Sequence, residues 1–324
     1  MAGPLSPQAA LPPLSFKWRG ARRVAAGGAH GDAGAILADM PAQREPATKP
    51  LIVLIVADPT GSRDPDLTLR KNELYADGVR RHGGTAALVS VATPAAERDR
   101  LLAGMAGLLL TGGADVDPAL YHQAAAGAKD LNPARDELEQ NAWRAAERQS
   151  VPIFGICRGL QSINVFAGGS LLQDVPSHAG TPYGEGPAHT HNMEVDSDSR
   201  LGRALAEGSP DGLATTDEDD TTIELTVNTY HHQAVDQLRL APGLRAVGWA
   251  ASETGRLVEA LESRDGRWIV AVQCHPERTE STPNEFEGLW EAFVRAAREA
   301  TAESVAEPVA RPSQSRDRLS PRRR

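Results

Sequence analysis

The sequence lacks what several protein classes require. It has only two cysteines, Cys157 and Cys274, in 324 residues. That excludes a disulfide-stapled scaffold and points to a reducing compartment. Crossing a bilayer takes ~20 consecutive apolar residues, but the longest uninterrupted run near the front, Leu51 to Ala57, has seven. Arg22-Arg23 hints at a twin-arginine signal, yet Gly27-Gly28, His30 and Asp32 break any apolar region behind it. The glycines form neither a P-loop nor a dinucleotide fingerprint, so neither ATP nor NAD is expected as a cofactor. There is no internal repeat. A basic body is missing as well: the net charge is +3 over residues 1–50 and +5 over 311–324, which leaves −17 on residues 51–310. So acidic a body repels phosphate backbones, which argues against a nucleic-acid partner. What remains, with 40% hydrophobic and 24% charged residues, is a cytoplasmic globular protein without a membrane partner.

Residues 1–50 are rich in Ala, Gly and Pro, show no helical or strand period, and read as a disordered leader. Either Met1 or Met40 can serve as the start. From about residue 300 periodicity is lost, and residues 300–324 read as a disordered basic tail ending in Ser-Pro-Arg-Arg-Arg. Between them, residues 51–299 alternate strand and helix signals as an α/β domain does. Strands are expected at Leu51–Val56, Ala86–Val91, Gly107–Leu110, Ile153–Ile156 and Ile269–Gln273. Helices are expected at Thr68–Arg81, Ala95–Leu102, Arg158–Ala167 and Glu285–Ala297, and another through Arg148 whose start is a capping-box-like pair, Asp136 and Glu139. From 171 to about 270 the pattern changes to short β-rich stretches. The fold class is therefore α/β, a flavodoxin-like, doubly wound and mostly parallel sheet with a β-rich insertion.

Three places carry chemistry. Gly155-Ile156-Cys157-Arg158-Gly159 lies between a strand and a helix. A nucleophile elbow has this layout, with glycines relieving crowding on either side of the nucleophile and the helix dipole favouring the thiolate. A small core cysteine at a strand-turn-helix connection would read the same way. Ala271-Val272-Gln273-Cys274-His275-Pro276-Glu277 puts a histidine at the end of a buried strand and a carboxylate two residues on. Glu277 can then orient the imidazole as the third member of a triad. Leu110-Thr111-Gly112-Gly113 ends another strand. There the N–H of Gly113, with that of Arg158, can form an oxyanion hole. No metal site is expected: His189-x-His191 and His231-His232 lack Cys or carboxylate ligands at metal spacing, and turn chemistry accounts for Asp115 and Asp117.

Together these elements resemble the class I glutamine amidotransferase fold, and within it the peptidase C26 group of gamma-glutamyl-gamma-aminobutyrate hydrolases. The resemblance runs from about Leu51 to Ala297. It takes in Leu109-Leu110-Thr111-Gly112-Gly113, Pro118-Ala119-Leu120-Tyr121, Arg135-Asp136, Pro152 to Gln161, Gly168 to Asp174 and Val227 to Gln233. Arg158 after the cysteine, in place of Leu or Tyr, tilts it toward the hydrolase group.

The resemblance implies Cys157 as nucleophile, His275 as general base and acid, and Glu277 as its orienter. It places Asn228 to Gln233 beside the site. Gln161, His231 and Gln233 are the expected contacts to a glutamyl group, and a structural role for this segment is equally open. Two positions depart from the pattern, Thr229 where Ser is frequent and Cys274 where an aromatic residue usually precedes the histidine. The implied reaction is hydrolysis of a γ-glutamyl amide to glutamate and a free amine through a cysteine thioester. The partner would be a small molecule, whose amine is left open between γ-aminobutyrate, a polyamine derivative and others. Oligomeric state is also left open. Two rival readings are a glutaminase subunit supplying ammonia to a separate synthetase and a catalytically silent binding module on the same scaffold.

Overall fold

A computed structural model describes residues 49–306 apart from 176, 177, 179, 181–185, 210–220 and 254. All but two residues of the expected leader, and the tail from 307 onward, lie outside the described residues. Among the described residues no helix is long and apolar enough to cross a membrane.

Among the parallel strands, β1 (Leu51–Ile55), β3 (Gly107–Leu110) and β4 (Ile153–Ile156) are short buried apolar runs, and β2 (Thr85–Val89), at the sheet edge, is mostly half-buried. Such runs are stable only when helices cover both sides of the sheet. β10 (Ile269–Val272) joins them from the far end of the chain, pairing parallel with β4 from Ile269↔Ile153 to Val272↔Ile156. The parallel half thus has the order β2-β1-β3-β4-β10.

The β-rich insertion continues the same sheet. β5 (His189–Asp196), β6 (Thr222–Thr229), β8 (Leu244–Ser252) and β9 (Gly255–Ser263) extend it as β10-β9-β8-β5-β6, antiparallel throughout, and β7 (Val235–Asp236) pairs with β9. Short strand signals separated by turns do not reveal which edge they join. Here β9 takes the free edge of β10.

Two helical layers flank the sheet. On one face α1 (Pro65–Arg81), α5 (Arg200–Gly208) and α6 (Phe286–Ala306) cover Ile52, Leu54, Phe154 and Val270. Phe154 meets Trp290 and Phe293 edge-on at centroid distances of 5.2 and 5.5 Å. On the other face, α2 (Ala95–Ala103), α3 (Pro133–Gln149) and α4 (Arg158–Phe166) cover Val53, Ile55, Leu108 and Ala271. Burying each of these Val, Ile, Leu and Phe side chains contributes ~1.5–3 kcal/mol.

α1 and α3 begin at their caps rather than at the expected residues. α1 starts at Pro65 because the Asp64 carboxylate accepts the Leu67 amide at 2.9 Å. α3 starts at Pro133, capped by Asn132, whose side chain accepts the Arg135 amide at 3.1 Å. Asp136 and Glu139 are therefore not a capping box but buried acids on the inner face of α3. α6 runs to Ala306, past the expected end at Ala297 and into the expected tail.

Those two acids meet two buried arginines. Arg158 donates to Asp136 Oδ1 at 2.6 Å and to Glu139 Oε1 at 3.1 Å, and Arg135 donates to Glu139 Oε1 at 2.9 Å. Ser162 donates to the second Glu139 oxygen at 2.7 Å. The same guanidinium groups reach the loop after β3: Arg135 donates to the Gly112 carbonyl at 3.0 Å and Arg158 to that of Ala114 at 2.6 Å. Two cations and two anions cancel within this cluster, and it ties the N-terminus of α4 to the Gly112-Gly113 loop. Breaking one partner of a buried ion cluster costs about 3–5 kcal/mol. Glu139→Gln should accordingly lower folding stability by ~3 kcal/mol in urea titrations, whereas an unchanged midpoint would show that the cluster is dispensable.

Candidate active site

Cys157 occupies the turn between β4 and α4 with φ 53° and ψ −105°. Side chains other than glycine rarely adopt positive φ, and such strain persists only where the surroundings enforce it. They do so here by close approach. A Cβ on Gly159 would lie 2.1 Å from the Leu110 carbonyl oxygen, and one on Gly155 would lie 2.6 Å from Ile163. The Cys157 amide donates to the Val272 carbonyl at 2.8 Å, anchoring the elbow to β10. Its sulfur thereby meets the first turn of α4, where amides lack intrahelical partners and the dipole is positive.

β10 delivers the imidazole to the same point. Asn228, at the end of β6, holds the His275 backbone from both sides, accepting its amide at 2.8 Å and donating to its carbonyl at 3.1 Å. His275 Nδ1 donates to Glu277 Oε1 at 2.6 Å, which leaves Nε2 as the nitrogen available to a thiol. Cys157 interacts electrostatically with this ring, and its Sγ accepts from Gln273 Nε2 at 3.5 Å. The Tyr75 hydroxyl lies 3.4 Å from Nδ1 and accepts the Gly112 amide at 3.2 Å. Tyr230 packs edge-on against the imidazole at 5.4 Å, and Arg278 stacks over Tyr230 at 4.0 Å.

Burial opposes a charge on His275, but the Glu277 carboxylate and Cys157 outweigh it and raise its pKa to about 9. The imidazolium therefore persists at neutral pH. Cys157, His275 and Gly113 open onto one cavity of about 410 Å³, whose wall also carries Lys71, Tyr75 and Arg278.

The structure thus brings Cys157, His275, Glu277 and Gly113 together, with Arg158 as the first residue of α4. Arg158 also uses its side chain in the ion cluster, a role the sequence reading did not assign. The expected glutamyl contacts are placed otherwise. Gln161 is buried and donates to the Gln233 carbonyl at 3.0 Å and to Gln273 Oε1 at 3.3 Å. The Gln233 side chain, also buried, is 3.4 Å from the Gln173 carbonyl. His231 turns its Nδ1 to the Gln233 carbonyl at 2.9 Å and its Nε2 toward Glu259 at 3.7 Å. None of the three lines the 410 Å³ cavity.

Tyr75, Lys71 and Arg278 were missed. They come from α1 and from the turn after Glu277, and no local motif marks them. The histidine pairs read as unable to bind metal also change meaning. His191 and His231 converge with His178 on Glu259, a carboxylate from a distant strand that pairwise spacing could not supply.

The peptidase C26 family model matches residues 64–277. Protein NtpR of Enterococcus hirae is 36% identical over 197 residues, covering 58% of this chain and 73% of that protein. The gamma-glutamyl-gamma-aminobutyrate hydrolase PuuD of Escherichia coli is 30% identical over 215 residues, covering 63% of this chain and 77% of PuuD. Among solved structures, the glutaminase domain of Trypanosoma brucei CTP synthase, with bound acivicin, superposes with a TM-score of 0.50 at 16% identity, covering 78% of this chain and 94% of that one. At that identity the likeness shows the fold alone, the class I glutamine amidotransferase fold.

The two thiols should differ in reactivity. Cys274 is fully buried on the α6 side of the sheet with Val270 and Val272, and burial drives its pKa well above the ordinary thiol value. Under native conditions iodoacetamide should label Cys157 and leave Cys274 unmodified, as read by peptide mass spectrometry. Equal labelling of both would contradict the placement of Cys274.

Proposed function

Because the chain belongs to the peptidase C26 family, we propose that it is a cysteine-dependent hydrolase that cleaves γ-glutamyl amides to glutamate and a free amine. The observation that carries the reading is the strained elbow that presents Cys157 to an imidazole already fixed by Glu277 at 2.6 Å. In this mechanism the Cys157 sulfur attacks the γ-carbonyl carbon. The developing oxyanion lies between the Gly113 and Arg158 amides, each such donor being worth about 3–4 kcal/mol of barrier. The C–N bond breaks as the His275 imidazolium gives its proton to the amine. Water then transfers a proton to His275 and its oxygen to the acyl carbon, and breaking of the C–S bond releases glutamate and restores the thiolate beside the imidazolium. Lys71 and Arg278 on the cavity wall suit the α-carboxylate of a glutamyl group. They replace Gln161, His231 and Gln233 as the candidate substrate contacts. The similarity to PuuD supports a γ-glutamyl amine over glutamine.

The test is glutamate release over a panel of γ-glutamyl amides, with glutamine as comparison. Release that is faster from a γ-glutamyl amine than from glutamine, and lost in Cys157→Ala, is the expected result. Preferred hydrolysis of glutamine would favour an ammonia-supplying role. No release at all from folded protein would contradict hydrolysis.

The pH profile carries a second expectation. His275 must be protonated to serve the leaving amine, so kcat/KM should fall as pH rises through about 9. Glu277→Gln removes the anion that favours the imidazolium, so this alkaline limb should move to lower pH. A limb that stays fixed would show that Glu277 does not tune His275.

A further inference from the structure

Behind the catalytic wall lies a second group of titratable side chains that the proposed reaction does not use. Glu259 on β9 is fully buried, and neither of its oxygens receives a well-formed hydrogen bond from the described residues. The basic groups facing it are imidazoles: His191 Nε2 on β5 at 3.4 Å, His231 Nε2 after β6 at 3.7 Å, and His178. One donor atom each from His178, His191 and Glu259 lies within 4.8 Å of the others. The rings of His178 and His231 are 5.0 and 5.4 Å apart, centre to centre, from His191 and His178 respectively.

Bare burial of a carboxylate is costly unless a cation or several donors offset it. His191 Nε2 and His231 Nε2 are buried with no hydrogen-bond partner among the described residues, and a neutral imidazole nitrogen with an open lone pair is the form that ligates a metal. His231 is already arranged for it, because its Nδ1–H faces the Gln233 carbonyl at 2.9 Å and leaves the Nε2 lone pair directed at Glu259. A carbonyl or carboxylate on the remote ring nitrogen is the usual support of a ligating histidine. Adjacent ligand atoms in a tetrahedral site with bonds of ~2.0–2.1 Å lie ~3.3 Å apart. His191 Nε2 lies 3.4 Å from Glu259 Oε2, already close to that edge, while His231 Nε2 faces the other oxygen, Oε1, at 3.7 Å. His178 and His191 also line an open cavity of about 700 Å³, which gives an ion a path from solvent.

We propose that His178, His191, His231 and Glu259 form a binding site for a divalent transition-metal ion of the zinc class. Three imidazoles around one carboxylate suit such an ion better than calcium or magnesium, which take oxygen ligands. Four protein ligands close the coordination sphere, so the role is structural. The ion ties the segment bearing His178, strands β5 and β9, and the turn after β6. Each of these abuts the catalytic wall. The Glu259 carbonyl accepts the Gln273 amide at 2.8 Å, Thr229 donates to the His178 carbonyl at 2.8 Å, and Tyr230 packs on His275. Metal binding therefore stiffens the wall that positions His275, without touching the reacting atoms.

The experiment uses the full chain purified without a histidine tag. After stripping with a chelator it is reloaded with zinc, dialysed, and measured for metal content and Tm. The expected result is one zinc per chain and a higher Tm in the loaded protein. Cobalt loading should give the visible absorption of a tetrahedral site. His191→Ala, at a half-buried position, and Glu259→Gln should each weaken zinc affinity by more than about tenfold, the scale lost even when only a supporting partner is removed. Cys157→Ser should retain the ion. Absence of stoichiometric zinc in the loaded chain, or retention unchanged in His191→Ala, would overturn the proposal. So would loss of the ion in Cys157→Ser, which would place it at the thiol instead. Should Glu259→Gln fail to fold, His191→Ala decides.

Discussion

The close approach of α4 to β3 constrains everything else at the site. With a Cβ at Gly159 only 2.1 Å from the Leu110 oxygen, only glycine permits this packing. The turn that precedes it must then carry Cys157 at φ 53°. That strain is sustained by the apolar layers on both faces of the sheet and by the Val272 carbonyl that receives the Cys157 amide. It fixes the thiol at a helix N-terminus at the carboxyl ends of the strands, where ligands of open α/β sheets gather. The pairing of β10 with β4 brings His275 alongside, so sheet register sets the thiol–imidazole relation and side-chain flexibility does not.

The charges around this point divide the work. Arg135, Arg158, Asp136 and Glu139 form a neutral cluster beside the loop after β3, and the two arginines also donate to backbone carbonyls of that loop. They set the position of the loop without presenting charge to the cavity. Glu277 acts differently. It faces a single imidazole and raises its pKa to about 9. One group of buried charges holds shape, and the other tunes a proton.

Much of this was legible in the sequence because it is local. β3 and β4 fall on the expected residues, since short runs of Val, Ile and Leu bounded by glycine or proline leave little choice. Cys157, His275 and Glu277 stand in compact motifs at strand ends. What was not legible depends on pairing across the chain. Asp136 and Glu139 have the spacing of a helix cap, and only the packing of α3 on α4 shows that they serve Arg158 and Ser162. His231 lies next to residues of the site, yet the turn after Tyr230 sends it to Glu259, which is 28 positions away in sequence. Lys71 and Tyr75 reach the cavity from a helix whose pattern reports only its buried face.

The account rests on a covalent intermediate at Cys157. Rapid mixing with a good γ-glutamyl amine, followed by acid quench and intact-mass spectrometry, measures it directly. The account predicts a transient mass increase of one glutamyl group, mapped to the peptide bearing Cys157, that decays as glutamate accumulates. Turnover without any acyl adduct, or with the adduct on another residue, would contradict it.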